Sequence, residues 1–137
     1  MFILLVSFAG FLILRACTKD CIIKSVKIAK GVAVLIPVYS IHRDASIYPD
    51  PERFDPERFS PENKQSRSPY CFIPFGHGPH NCIGLRFALM EMKVVLARIL
   101  KNYRFEVAED TKIPPEIVIK STLTCSDINL RVTSRKK

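Results

Sequence analysis

Phe75-Gly76-His77-Gly78-Pro79-His80-Asn81-Cys82-Ile83-Gly84 sets one cysteine in a loop bent by glycine and proline, directly ahead of a helical pattern. Such a loop can present a thiolate to a metal from one side. Free N–H groups and the dipole at a helix N-terminus favour the anionic sulfur. Gly78 and Gly84 have no side chain, which permits tight bends and close approach of backbone to a flat ligand. Pro79 stiffens the bend, and Phe75 offers an apolar wall. A plainer reading stays open at this level: a turn between strand and helix, with Cys82 as a small buried residue.

Outward from the loop, Leu85, Leu89, Met92, Leu96 and Ile99 recur at helical spacing and share a face with Ala88 and Leu100. Arg86, Lys93, Arg98 and Lys101 fall on the other side. The expectation is a long core helix ending near Asn102-Tyr103. Phe105-Glu106-Val107 then begins a strand-like return, and Ile113 to Pro115 reads as a turn. Ile117-Val118-Ile119 and Ile128-Asn129-Leu130-Arg131-Val132 alternate as a hairpin would, joined by the polar loop Ser121–Ser126.

Upstream, Tyr48-Pro49-Asp50-Pro51-Glu52-Arg53-Phe54-Asp55-Pro56-Glu57-Arg58-Phe59 carries too much proline for a regular helix. Phe54 and Phe59 suggest an irregular loop docked on a core. Val32 to Ile36, bounded by Gly31 and Pro37, reads as a short buried strand with Cys21-Ile22-Ile23 as its expected hairpin partner. His42-Arg43-Asp44 invites a kinase reading, but the kinase catalytic loop needs Asn five residues past the Asp. That place is Pro49, and no Gly-rich nucleotide loop is present.

In this order the motifs resemble the cytochrome P450 family: strand, H-R-D, a meander with Pro56-Glu57-Arg58-Phe59 as its P-E-R-F box, F-x-x-G-x-x-x-C-x-G, and a final helix. Thr18-Lys19-Asp20, the run from Gly78 to Lys93 and Thr111-Lys112-Ile113-Pro114 are most similar to the microsomal family-3 and thromboxane-synthase group. The resemblance covers about residues 13–135. It implies an α+β fold, mainly α in the parent. This chain would supply its C-terminal part: small β-hairpin, meander, Cys-ligand loop, long final helix and terminal β-hairpin. Residues 15–137 would form a partial domain, with 1–14 an apolar segment that does not match.

The resemblance makes Cys82 the axial ligand of haem b and places Phe75, Gly78 and Gly84 around it. Arg15 matches a propionate-binding arginine. His80 stands where the family usually carries arginine, so one permanent charge is lost and haem retention would depend on pH. Arg58 should close a salt-bridge triad with a Glu and an Arg of an E-x-x-R helix, for which this sequence has no counterpart. The Ser121–Ser126 loop corresponds to a substrate-contacting turn. The implied activity is monooxygenation of a small apolar substrate at the cytosolic face of the endoplasmic reticulum membrane. Electrons would come from NADPH through NADPH–cytochrome P450 reductase, with cytochrome b5 as a further partner. The parent is roughly three to four times longer, and the acid–threonine pair of oxygen activation has no counterpart here. No catalytic residue is therefore assigned, and the chain is expected to be a truncated portion that does not turn over alone.

Composition sets limits. The chain has 137 residues, 47% of them hydrophobic, and a net charge of +8, which suits one modest core. The basic residues are dispersed without an aromatic-lined nucleic-acid motif, so no nucleic acid is expected; a basic face would suit an acidic electron donor. Five cysteines in no disulfide-scaffold spacing fit a reducing compartment. Cys71, His77, His80 and Cys82 are the N/S donors of a competing zinc-module reading. Met1–Leu14 is uncharged but shorter than the ~20 residues of a membrane-spanning helix. It reads as a core segment, an altered start or a short membrane anchor.

Overall fold

The computed structural model describes residues 12–113, 115–119, 123–125 and 128–135. It divides into two compact units, one running to Gly76 and the other from His77. Most of Met1–Leu14, and part of Ser121–Ser126, lie outside the described residues.

In the first unit, β1 (Ile13–Ala16) pairs antiparallel with β4 (Ala33–Ile36), matching Ile13 to Ile36 and Arg15 to Val34. Side chains alternate between faces of a strand, and here Ile13, Arg15, Val34 and Ile36 are half-buried while Leu14 and Leu35 are exposed. Between these strands, β2 (Cys21–Ile23) and β3 (Val26–Ile28) close a hairpin of their own. The expected pairing of Cys21–Ile23 with Val32–Ile36 is therefore corrected. A two-residue turn lets β2 pair with the adjacent β3, which leaves β4 for β1. That turn puts Lys24 at φ 44° and Ser25 at φ 71°, values that tight hairpins demand and that Asn-Gly adopts with less strain.

Next comes α1 (Val38–His42), then a meander whose bends are fixed by a repeated local device. Asp55-Pro56 opens a 3-10 turn over Pro56–Phe59, Ser60-Pro61 opens α2 (Pro61–Gln65), and Ser68-Pro69 opens a 3-10 turn over Pro69–Cys71. Each Asp or Ser side chain accepts from a first-turn N–H, and proline follows where its missing N–H costs nothing. The short α2 was not anticipated from the sequence; its start signal is Ser60-Pro61-Glu62.

The unit's core is small and polar. Val38, Tyr48 and Ile73 are buried, and so are His42 and Arg58. Tyr48 Oη donates to the Cys71 carbonyl at 2.9 Å, and His42 Nε2 accepts from the Ile73 N–H at 3.1 Å. Phe72 lies 4.8 Å from Phe59 and 5.1 Å from His42 between ring centroids. The Arg67 guanidinium sits over Tyr48 and Phe59 and donates to the Arg58 carbonyl. Phe59 thus docks as expected, whereas Phe54 is half exposed.

In the second unit α3 (Leu85–Asn102) runs straight into β5 (Tyr103–Val107), with no connecting loop. β5 pairs antiparallel with β8 (Leu130–Ser134), and β6 (Ile117–Ile119) pairs with β7 (Leu123–Cys125). The expected hairpin of Ile117–Ile119 with Ile128–Val132 is thus corrected. The stretch read as a polar loop contains β7, and β8 instead matches the five residues of β5, Phe105 opposite Val132. Thr111 fixes this return: its Oγ1 accepts from the Ala108 N–H at 2.7 Å and donates to the Asn129 carbonyl at 2.6 Å.

The helix itself has no buried side chain. Leu85, Ala88, Leu89 and Ile99 are half-buried, but Met92, Leu96 and Leu100 are exposed, and so are Phe87, Met90 and Val94 on the opposite side. The expected core helix is present as a helix and not as a core within this unit. Small two-stranded ladders cannot cover a helix about 27 Å long.

Candidate functional site

The loop that carries Cys82 is built from three successive turns. At its start, the Gly76 N–H donates to the Ile73 carbonyl at 3.0 Å, and Gly76 adopts φ 77°. Gly78 follows at φ 86°, a left-handed backbone that side chains make costly. The Asn81 N–H then donates to the Gly78 carbonyl at 3.2 Å, with Pro79 in the second turn position that suits its fixed φ. Finally the Leu85 N–H donates to the Cys82 carbonyl at 3.3 Å, and the Ala88 N–H donates to the Gly84 carbonyl at 2.9 Å, which starts α3.

Gly84 is the N-cap residue, and no side chain caps this helix. In the meander Asp55, Ser60 and Ser68 each supply a side-chain acceptor at the same place. Only at α3 is that place held by glycine among these elements. The thiol of Cys82 stands two residues ahead of the cap and is exposed, as are Ile83, His80 and His77. A Cβ built on Gly78 or Gly84 would meet nothing within 4 Å, so both glycines border open space.

The sequence-predicted residues fall into two groups. Gly78, His80, Cys82 and Gly84 occupy one turn-rich loop of the second unit, with the three nearest Gly78 exposed and Gly84 half-buried. Arg15 and Phe75 belong to the first unit, where both are half-buried. Arg15 lies on β1 and its Nη1 donates to the Leu14 carbonyl at 3.0 Å. Cys82 as a buried, inert residue is excluded by its exposure. Among the described residues no group of three or more His, Cys, Asp or Glu gathers as a metal-ion site. The zinc reading of Cys71, His77, His80 and Cys82 gains no support from this structure. The backbone carbonyl of Cys71 receives the Tyr48 hydroxyl.

The donor set in the second unit therefore suits a ligand that is bound through one thiolate and lies flat beside glycines. An exposed sulfur at an uncapped helix start, flanked by residues without side chains, fits an iron porphyrin better than an ion that needs several side-chain ligands.

Sequence reasoning assigned Arg58 to a triad with an E-x-x-R helix. The structure gives it carbonyl acceptors within the meander: Pro49 at 2.5 Å, Asp50 at 2.5 Å and Arg53 at 3.4 Å. Sequence reasoning also passed over His42 as part of a failed kinase motif. Burial, and then the nearby Arg43, press its pKa down to about 4. It is neutral at physiological pH and pins Ile73, three residues before Gly76, at the entrance of the cysteine loop. The available signal was a histidine in a short helix flanked by apolar Val38 and Ile41.

Comparison with known proteins bears on the family of the chain. A family model described as Cytochrome P450 matches residues 5–127. Cytochrome P450 3A12 of Canis lupus familiaris is 52% identical over 100 residues, which cover 73% of this chain and 20% of that protein. Cytochrome P450 3A1 of Rattus norvegicus is 53% identical over 100 residues with the same coverage. Cytochrome P450 3A31 of Mesocricetus auratus is 46% identical over 109 residues, covering 80% of this chain and 22% of that protein. The chain spans about a fifth of the length of these relatives.

Proposed function

This chain belongs to the cytochrome P450 family, and on that premise we propose that Cys82 is the axial thiolate ligand of a haem b. Haem with a thiolate ligand supplies dioxygen activation and transfer of one oxygen atom to an organic substrate. The exposed Cys82 thiol ahead of the uncapped α3 is the observation that carries the reading. A bound thiolate would meet the positive end of the helix, which favours its charge. Gly78 and Gly84, with open space where side chains would stand, allow a flat ring to approach the backbone. Phe75 is assigned to the apolar surround of the sulfur.

Arg15 and His80 are assigned to the propionates. An arginine keeps its charge at all working pH values, whereas an imidazole gives one hydrogen bond when neutral and a charge only when protonated. The propionate grip of this chain is thus weaker at one of its two points.

The whole protein is read as a monooxygenase acting on a small apolar substrate. It would receive electrons from NADPH through NADPH–cytochrome P450 reductase, with cytochrome b5 as a second donor, at the cytosolic face of the endoplasmic reticulum membrane. Residues 15–137 would be the haem-ligating part of its domain. Because the chain spans about a fifth of its relatives, oxygenation is assigned to the whole protein and haem ligation to this chain. Among the described residues no helix is long and apolar enough to cross a membrane, so membrane association is assigned to the whole protein or to residues 1–14.

The test is haem titration of the purified chain followed by the reduced carbon-monoxide difference spectrum. A thiolate-type Soret band that vanishes in Cys82→Ser supports the assignment. An unchanged spectrum in that variant, or no haem uptake by a folded chain, overturns it.

A further inference from the structure

Outside the candidate site, the fold holds together a pair of cysteine side chains among the described residues. Cys17 and Cys21 flank the turn Thr18-Lys19-Asp20, both half-buried, with their sulfurs 3.6 Å apart. The backbone of Cys17 is tied to the start of β4: its N–H donates to the Val32 carbonyl at 2.9 Å and its carbonyl accepts from the Gly31 N–H at 2.7 Å. Cys21 is the first residue of β2, opposite Ile28. Between them Asp20 Oδ1 accepts from the Lys30 N–H at 2.7 Å. Strand pairing on one side and a capped turn on the other thus hold both cysteines, and the Cys17 thiol also donates to the Lys19 carbonyl at 2.9 Å, a bond that closure would release. Closing from 3.6 Å to bond length needs about 1.5 Å of movement, which side-chain rotation supplies.

We propose that Cys17 and Cys21 form a reversible thiol–disulfide pair that exchanges with a small-molecule disulfide such as glutathione disulfide. One protein thiol loses its proton to solvent and attacks a sulfur of the small disulfide. That S–S bond breaks, one glutathione thiolate leaves, and a mixed disulfide remains on the protein. The second protein thiol, deprotonated in turn, attacks the protein sulfur of the mixed disulfide and expels the other glutathione. The protein loses two protons and two electrons; the small disulfide gains them as two thiols. Reduced glutathione reverses the sequence. The hydrogen bond with Cys17, ahead of burial and nearby charge, pushes the Cys21 thiol up.

The bond would tie the end of the β1–β4 ladder to the β2–β3 hairpin. Its ring encloses only Thr18, Lys19 and Asp20, so it constrains the unfolded chain little and stays within reach of cellular reductants. That marks a switch rather than a staple. β1 also carries Arg15, so oxidation stiffens the strand on which that guanidinium stands. The pair itself needs no haem, and its test is independent of the assignment of Cys82.

The experiment equilibrates the full chain in glutathione buffers from reducing to oxidising. Thiols are then trapped with acid and N-ethylmaleimide, and the chain is digested with trypsin. Cleavage after Arg15, Lys19 and Lys24 leaves Ala16–Lys19 and Asp20–Lys24 as separate peptides unless a disulfide joins them. The expected result is a linked pair lacking two hydrogens that dominates at the oxidising end and disappears on adding reduced glutathione. Cys17→Ser and Cys21→Ser should each hold glutathione on the remaining cysteine. The folded chain should reach half-oxidation at a glutathione ratio shifted about tenfold or more from the denatured chain. Separately alkylated peptides in the wild-type chain, or links to Cys71 or Cys82 instead, overturn the proposal. Equal midpoints for folded and denatured chain overturn the role of the fold.

Discussion

The meander and the helix after the cysteine loop solve opposite problems. Between Val38 and Ile73 the chain buries a tyrosine, a histidine and an arginine, and it supplies their hydrogen-bond partners from its own backbone. From Leu85 to Asn102 it forms a regular helix with apolar residues on two sides and buries none of them. The first region is short of regular structure and rich in internal contacts; the second is the reverse. Irregular backbone survives only where its polar groups find partners, so the meander must be locked by side chains. A helix meets that demand with its own backbone, and its apolar surface can stay open without breaking its hydrogen bonds.

The largest effect should come from Arg58. Arg58→Met removes the donors to the Pro49, Asp50 and Arg53 carbonyls, and leaving buried acceptors unpaired should cost about 4 kcal/mol. Urea denaturation of the two proteins measures this. A loss under about 1 kcal/mol would mean the meander does not depend on its arginine.

His42 should make the same region acid-sensitive. Its folded pKa of about 4 lies below the unfolded value of about 6.5, so the unfolded chain binds the extra proton first. Its contribution is complete above pH ~6.5, falls as pH drops toward 4, and amounts to about 3 kcal/mol over that window. His42→Gln should flatten the stability profile between those limits, as followed by chemical denaturation at each pH. An unaltered profile would place the acid sensitivity elsewhere.

A smaller loss should follow Tyr48→Phe, which deletes only the bond to the Cys71 carbonyl, about 1 kcal/mol. Smallest should be Val94→Lys on α3. Val94 is exposed and its helix has no buried side chain, so the change should stay within about 0.5 kcal/mol and reduce self-association. A cost above about 2 kcal/mol would show that this face of the helix is covered in solution, which would erase the contrast between the two regions.

Some of this was legible in advance and some was not, for reasons that differ by residue. The end of α3 followed from periodicity up to Asn102-Tyr103, ahead of the strand-like Phe105-Glu106-Val107. The irregularity of the meander followed from its prolines. Strand partners did not follow, because pairing depends on what the chain brings alongside: β4 turned to β1 rather than to Cys21–Ile23, and β8 to β5 rather than to β6. Burial of His42 was equally hidden, and so were the carbonyl acceptors of Arg58. Residues of that type are usually solvated, and only the carbonyls and N–H that converge on them change the outcome.

By itself the sequence determined the kind of local backbone and the chemistry of the loop. Gly76 and Gly78 suit left-handed turns, Asp-Pro and Ser-Pro suit helix starts, and one cysteine stands ahead of a long apolar repeat. These are properties of single residues and short spacings, so they can be read without a fold. Only the tertiary structure decided that Tyr48 would reach Cys71, that His42 would hold Ile73, that Cys17 and Cys21 would bring their sulfurs together, and that no α3 side chain would be fully buried. Those outcomes depend on distances between residues fixed by strand register and chain crossing. No local pattern encodes them, because each becomes favourable only when its partner has already been placed.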